Sequence, residues 1–187
     1  MSAILCVILT SLTSLLLCTN SIAGTYSLAV GEKLSFNYFV AGLPFQGEFM
    51  VSDSKFELNF DYPENSTFMV QFDIKQSNAG FLAATKAMLG KRGLDASQFP
   101  LARFTSINVV SENEKFEILG NLQIKNVSKP IKLIITTLGE YNSGSDQISF
   151  LINAKFKRRE FNVNGYYPLV GDFIVLDDKM PLIREIK

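Results

Sequence analysis

The chain has 187 residues, enough for one domain, and balances 18 Lys+Arg against 18 Asp+Glu with no His. Zero net charge supplies no overall field to draw nucleic acid or an anionic membrane, and a chain without His lacks the commonest general base and metal ligand. Its 2 Cys, Cys6 and Cys18, both precede residue 24, so residues 24–187 have neither a thiolate nor a disulfide.

The first 23 residues carry no charged side chain and run almost wholly apolar from Ala3 to Leu17. Ser21-Ile22-Ala23 then places small residues at the two recognition positions of a cleavage site before Gly24. This predicts a secretory signal peptide at 1–23, and a domain at 24–187 in the periplasm or outside the cell. Its start is unusual, because no Lys or Arg precedes Lys33. The apolar run falls short of the ~20 residues that span a bilayer. Leu17 stands where a lipoprotein signal wants a small residue, which argues against a lipid on Cys18. No later apolar run is long enough to cross a membrane.

Period-two patterning then dominates. Leu34, Phe36, Tyr38 and Val40 form one run; Phe45, Gly47, Phe49 and Val51 the next. Phe56, Leu58 and Phe60 follow, then Phe68, Val70, Phe72 and Ile74. Turn residues separate them at Gly42-Leu43-Pro44, Ser52-Asp53-Ser54 and Pro63-Glu64-Asn65-Ser66. Next, Phe81, Thr85, Met88 and Leu89 recur near helical period, predicting a helix over 79–90 ended by Gly90 and Gly93. Strands return over 102–111, 115–125, 129–139, 147–158 and 171–179. The spacing indicates an all-β sandwich or barrel with one helix. Phe45/Phe49, Phe56/Phe60 and Phe68/Phe72 each share a strand face. Such a supply of rings suits a filled core and a hollow one equally. Ser52 and Lys55 fit S-x-x-K, but its companion motifs are missing and the site reads as a turn.

The most specific stretch is 113–139. Phe116, Ile118, Gly120, Leu122 and Ile124 alternate with polar residues, and after Asn126-Val127-Ser128-Lys129-Pro130 the alternation resumes with Ile131, Leu133 and Ile135. This is a long β-hairpin, with Pro130 at the start of its second strand. Gly120, Leu122, Ile124, Val127, Ser128, Lys129 and Pro130 resemble the G-x-L-x-I-x-x-V-[ST]-[KR]-P signature of the YceI-like, or polyisoprenoid-binding, family. Gly47-Glu48-Phe49 is similar to the family's G-x-F element. Asp95, Phe99, Pro100, Phe104 and Ser106 resemble its D-x-x-x-[FY]-P-x-[AI]-x-F-x-S. Arg158, Glu160 and Phe161 resemble its R-x-[DE]-F, and Val170-Gly171-Asp172 its lead into the last strand.

The resemblance implies a lipocalin-like antiparallel β-barrel with one helix near the barrel mouth. It implies a binding protein, not an enzyme, that holds a polyprenyl lipid or isoprenoid quinone with no cofactor and no metal. Homodimerisation stays open. On that fold the apolar strand faces put Phe36, Tyr38, Phe49, Phe72, Phe104, Ile118, Leu133 and Phe150 on the tunnel wall, with Phe81 and Met88 from the helix. The small residues Gly47, Ser106, Gly120 and Ala154 would leave space among them. Two departures matter. Tyr38-Phe39-Val40 stands where the family often carries a His, and the family's charged helix is here the apolar 81–89. Family contacts to a ligand head made by those groups do not carry over.

Several alternatives stay open. The helix is either a lid or an ordinary core-facing element. Lys86, Lys91, Arg92 and Arg103 form either a head-group site or a solvated face. Arg158 and Arg159 are expected to form a structural pair with Glu160 or Asp172. A filled, purely structural barrel or an enzyme with a buried carboxylate acid–base pair remains the competing class.

Overall fold

The computed structural model describes residues 23–112, 115–140 and 142–185. The predicted signal segment therefore lies almost wholly outside the described residues, and the domain boundary at Gly24 falls one residue into the first strand.

In chain order the elements are β1 (Ala23–Ser27), β2 (Lys33–Val40), β3 (Leu43–Asn59), β4 (Thr67–Asn78), α1 (Leu82–Leu89), β5 (Leu101–Glu112), β6 (Lys115–Ile124), β7 (Val127–Leu138), β8 (Gln147–Lys157) and β9 (Phe173–Arg184). Every strand pairing is antiparallel. From β2 to β9 each strand pairs with the next, and β9 pairs back with β2 at Phe36↔Leu176, which closes an eight-stranded barrel. The ninth strand, β1, continues the slot of β2 between β3 and β9, pairing Tyr26 with Phe56 on one side and Arg184 on the other. Closure leaves few edges to protect.

Alternation builds the wall. In β6 every second residue from Phe116 to Ile124 is buried and its neighbours are exposed. The β6–β7 turn is only Lys125-Asn126, tighter than expected, with Lys125 at φ 57°. Pro130 is consequently inside β7, opposite Asn121. It is tolerated because β7 pairs with β8 only from Leu133 onward, so residues before that have β6 alone as a partner.

The predicted break at Ser52-Asp53-Ser54 is absent; β3 runs unbroken for 17 residues. A bulge takes its place, where the pairing steps from Val51↔Phe72 to Asp53↔Gln71 and leaves Ser52 over. The extra residue reverses the alternation, so Val51 is buried before it and Ser54, Phe56 and Leu58 after it. Two hydroxyls secure the site. Ser52 Oγ donates to the Gln71 carbonyl at 3.2 Å, and Ser54 Oγ accepts the Leu28 N–H at 2.8 Å.

The two barrel ends differ. At one end Tyr26, Phe68, Phe116, Phe150, Met180 and Leu182 pack into a buried plug. Ring centroids there are 5.9 Å apart for Phe56–Phe68, 6.2 Å for Phe68–Phe116 and 6.2 Å for Phe116–Phe150. At the other end α1 and the 158–172 loop cross the opening. Strand direction sorts the connections. The 41–42, 79–100, 125–126 and 158–172 loops all lie at the open end.

Candidate ligand-binding site

The barrel interior holds two adjacent cavities. The outer one, about 280 Å³, lies beneath α1 and the 158–172 loop. Phe36, Tyr38 and Phe49 wall it from the barrel, Phe81, Ala84, Ala87 and Met88 from the α1 segment, and Tyr166, Leu169 and Val170 from the loop. The inner one, about 80 Å³, is lined by Phe49, Phe72, Phe104, Leu133 and neighbouring aliphatic residues, with Phe56, Phe68 and Met180 of the sealed end among them. Phe49, Leu94, Ile124 and Phe156 line both and stand between them.

A run of touching rings connects the mouth to the inner chamber. Phe81–Phe45 (5.6 Å), Phe45–Tyr38 (5.9 Å), Tyr38–Phe36 (5.9 Å), Phe36–Phe49 (4.2 Å) and Phe49–Phe72 (5.7 Å) follow one another. Tyr38 directs its hydroxyl away from apolar space and donates to the Ala79 carbonyl at 2.8 Å. Burial raises its pKa above the ordinary phenol value, which keeps it neutral.

Eight of the ten predicted wall residues line a chamber: Phe36, Tyr38, Phe49, Phe72, Phe81, Met88, Phe104 and Leu133. Ile118 and Phe150 do not. They are 0% and 1% exposed, and line neither chamber. Alternation placed them on the inner face correctly, but their depth along the axis depends on register.

Gly47, Gly120 and Ser106 do not leave room. The ring of Phe36 covers Gly47, its direct cross-strand partner, and the ring of Phe104 covers Gly120 from the neighbouring strand. Ser106 Oγ accepts the Phe68 N–H at 2.9 Å. The space lies instead under the alanines of α1, a helix in which no residue is fully buried.

The cations follow expectation only in part, since Arg159 pairs with Asp172 and Arg158 does not. Arg158 pairs with neither Glu160 nor Asp172. It is buried, and its guanidinium donates to the carbonyls of Gly171 (2.8 Å), Val163 (2.7 Å), Gly165 (2.9 Å) and Val170 (2.7 Å). Burial lowers its pKa, and Asp172 partly restores it. This one side chain fixes the loop that roofs the outer chamber. Its neighbour Arg159 takes Asp172 at 3.2 Å and lies 3.8 Å from the Tyr167 ring centroid. Arg103 projects outside the barrel, bonded to Gln71 at 2.6 Å. Only Lys86, Lys91 and Arg92 of the expected basic group stand at the mouth, with Arg92 5.1 Å from the Tyr166 ring.

Among the described residues no carboxylate lines either chamber, and no group of three or more His, Cys, Asp or Glu could hold a metal ion. Among those residues, no buried side-chain nitrogen or oxygen lacks a hydrogen-bond partner. The interior is built to surround apolar matter.

Known proteins share this architecture. Protein YceI of Salmonella newport (strain SL254) is 26% identical over 160 residues, covering 82% of this chain and 84% of that one. The crystal structure of BcnA from Burkholderia cenocepacia superposes with a TM-score of 0.71 at 19% identity, covering 80% of this chain and 94% of that one. A polyisoprenoid-binding domain from Saccharophagus degradans, implicated in plant cell wall breakdown, superposes with a TM-score of 0.62 at 11% identity, covering 86% and 98%. The domain model described as YceI-like matches residues 28–185, from the turn after β1 to the end of β9. By that match across the whole barrel, the chain belongs to the YceI-like domain family.

Proposed function

We propose that this protein is an exported carrier that holds the tail of a long isoprenoid, a polyprenyl lipid or an isoprenoid quinone, in the two chambers. The observation that carries the reading is a wholly apolar inner chamber adjacent to a larger one beneath a lightly packed helix. Membership of the YceI-like family supports it, as does the likeness of fold to a domain that binds polyisoprenoids. Together the chambers sit near the lower end of the ~300–1,000 Å³ range of small-ligand sites. A long tail reaches the inner one when Phe49, Leu94, Ile124 and Phe156 rotate aside. Burial contributes roughly 25 cal/mol per Å² of apolar tail, reduced by the ordering of a flexible chain. Tail length therefore sets affinity more than the head does.

The lining supplies no acid–base pair, so binding without turnover is the reading it favours. The carrier is exported by cleavage before Gly24 to the periplasm or the medium, and N-terminal sequencing of the exported protein checks this. The ligand is checked by mass spectrometry of an organic extract of protein purified from its native source. A stoichiometric isoprenoid supports the carrier. A clean extract, with no uptake of added prenyl lipids, leaves a structural barrel.

A further inference from the structure

Folding segregates the charges of a chain whose net charge is zero. The open-end loops carry Lys86, Lys91, Arg92, Lys125, Arg158 and Arg159 against Asp95, Glu160 and Asp172. At the sealed end, the described residues of the 60–66 and 139–146 loops, with Glu185 after β9, include Asp61, Glu64, Glu140 and Asp146 and no Lys or Arg. Lys115 and Arg184 at the adjoining strand ends offset this only in part. One end of the barrel is basic and the other acidic, a polarity that composition conceals.

The basic end is also where apolar side chains gather in water. Leu82 is 71% exposed, Leu43 63% and Leu169 58%, with Phe81, Tyr166 and Tyr167 beside them. Backbone hydrogen bonds tie their segments into one rim. Ala41 N–H donates to the Leu169 carbonyl at 2.8 Å, and Gly165 N–H to the Arg92 carbonyl at 2.9 Å. Phe81 meets Phe45 on the β2–β3 side. The rim surrounds the opening of the outer chamber.

We propose that the open end docks on a bilayer surface bearing anionic headgroups. Leu43, Leu82 and Leu169 enter the headgroup–acyl boundary, the tyrosines sit at headgroup level, and Lys86, Lys91 and Arg92 lie over the phosphates. Charge complementarity selects this occupant, and the acidic far end is repelled by the same surface. The barrel axis therefore stands along the membrane normal with the chambers opening toward the lipid. Docking goes beyond carriage of a ligand and does not depend on it.

The test is co-sedimentation of the full exported protein with vesicles of phosphatidylcholine alone and of phosphatidylcholine mixed with phosphatidylglycerol. The mixed vesicles retain the protein, the zwitterionic ones retain much less, and added salt weakens retention. Leu82→Glu, and Lys86→Glu with Lys91→Glu, reduce retention roughly tenfold or more, while Glu64→Lys at the far end does not reduce it. All these sites are exposed, so thermal melts stay unchanged, and Leu82→Glu still takes up the apolar dye N-phenylnaphthylamine. Equal retention by both vesicle types, retention indifferent to the rim variants, or none by mixed vesicles at low ionic strength overturns docking; the last would leave the rim to a protein partner. An extract without isoprenoid beside normal retention removes the carrier and leaves docking; the reverse result removes docking alone.

Discussion

The ring of Phe104 lies where a side chain at position 120 would stand. Gly120 is paired with Ser106 on β5, two residues along from Phe104, so the ring leans diagonally across the ladder to cover it. The backbone of Gly120 is not in the left-handed region, so the constraint is steric.

Gly120→Ala is therefore expected to destabilise the barrel by about 1–3 kcal/mol, the cost of overpacking a closed contact. Phe104→Leu in the same chain should recover part of that loss. Urea melts of the two single variants and the double measure the coupling. Additive effects would show that Phe104 is not what fills the site.

Filling the outer chamber should act in the opposite way. Ala87 faces it from a helix without a fully buried residue. Ala87→Phe is expected to change stability by about 1 kcal/mol or less, because the ring enters existing space. Binding of long prenyl chains should fall more than binding of short ones. A titration over tail length, beside a thermal melt, reads both quantities.

Arg158→Met should cost more than its loss of charge suggests. Each carbonyl left without a donor costs about 1–3 kcal/mol if water does not replace it, and four carbonyls lose their partner. Arg158→Lys is expected to recover only part, since an ammonium cannot reach all four with the planar fork. Hydrogen exchange should accelerate first over residues 163–171, the stretch Arg158 holds.

Acid should loosen the same loop. Burial alone would raise the Asp172 carboxyl, but hydrogen bonds from the Arg159 side chain and backbone outweigh it and bring its pKa below the ordinary value. A carboxylate lowered by folding adds stability that is complete above its unfolded pKa of about 3.9 and is lost as pH falls through the folded value. Asp172→Asn should thus be less stable than the parent at pH near 6 and approach it near pH 3. Chemical denaturation at the two pH values checks the convergence.

Period and face were readable from residue order alone. Phe116, Ile118, Leu122 and Ile124 alternate, and all four are buried on the inner side of β6. Depth was not, because Ile118 and Leu122 sit on the same face of one strand, yet only Leu122 reaches a chamber. What separates them is the pairing of distant strands, which no local pattern encodes. Ser52-Asp53-Ser54 misleads for a different reason, since turn residues and bulge residues are the same residues. The role of Arg158 was hidden because its partners are backbone carbonyls, identical in every residue. The glycines misled because space beside a small residue belongs to whichever neighbour reaches it first.

The pairing of β9 with both β1 and β2 has a consequence for timing. Phe36 meets Leu176 and Tyr26 meets Arg184, so the first strands wait for the last. Closure must join contacts of the highest sequence separation in the chain, and their loop entropy is met only when nearly every residue is present. An incomplete chain retains open strand edges and no sealed interior. On the proposed export route the chain would enter a narrow passage N-terminus first, and its barrel could not shut before the final strand had arrived.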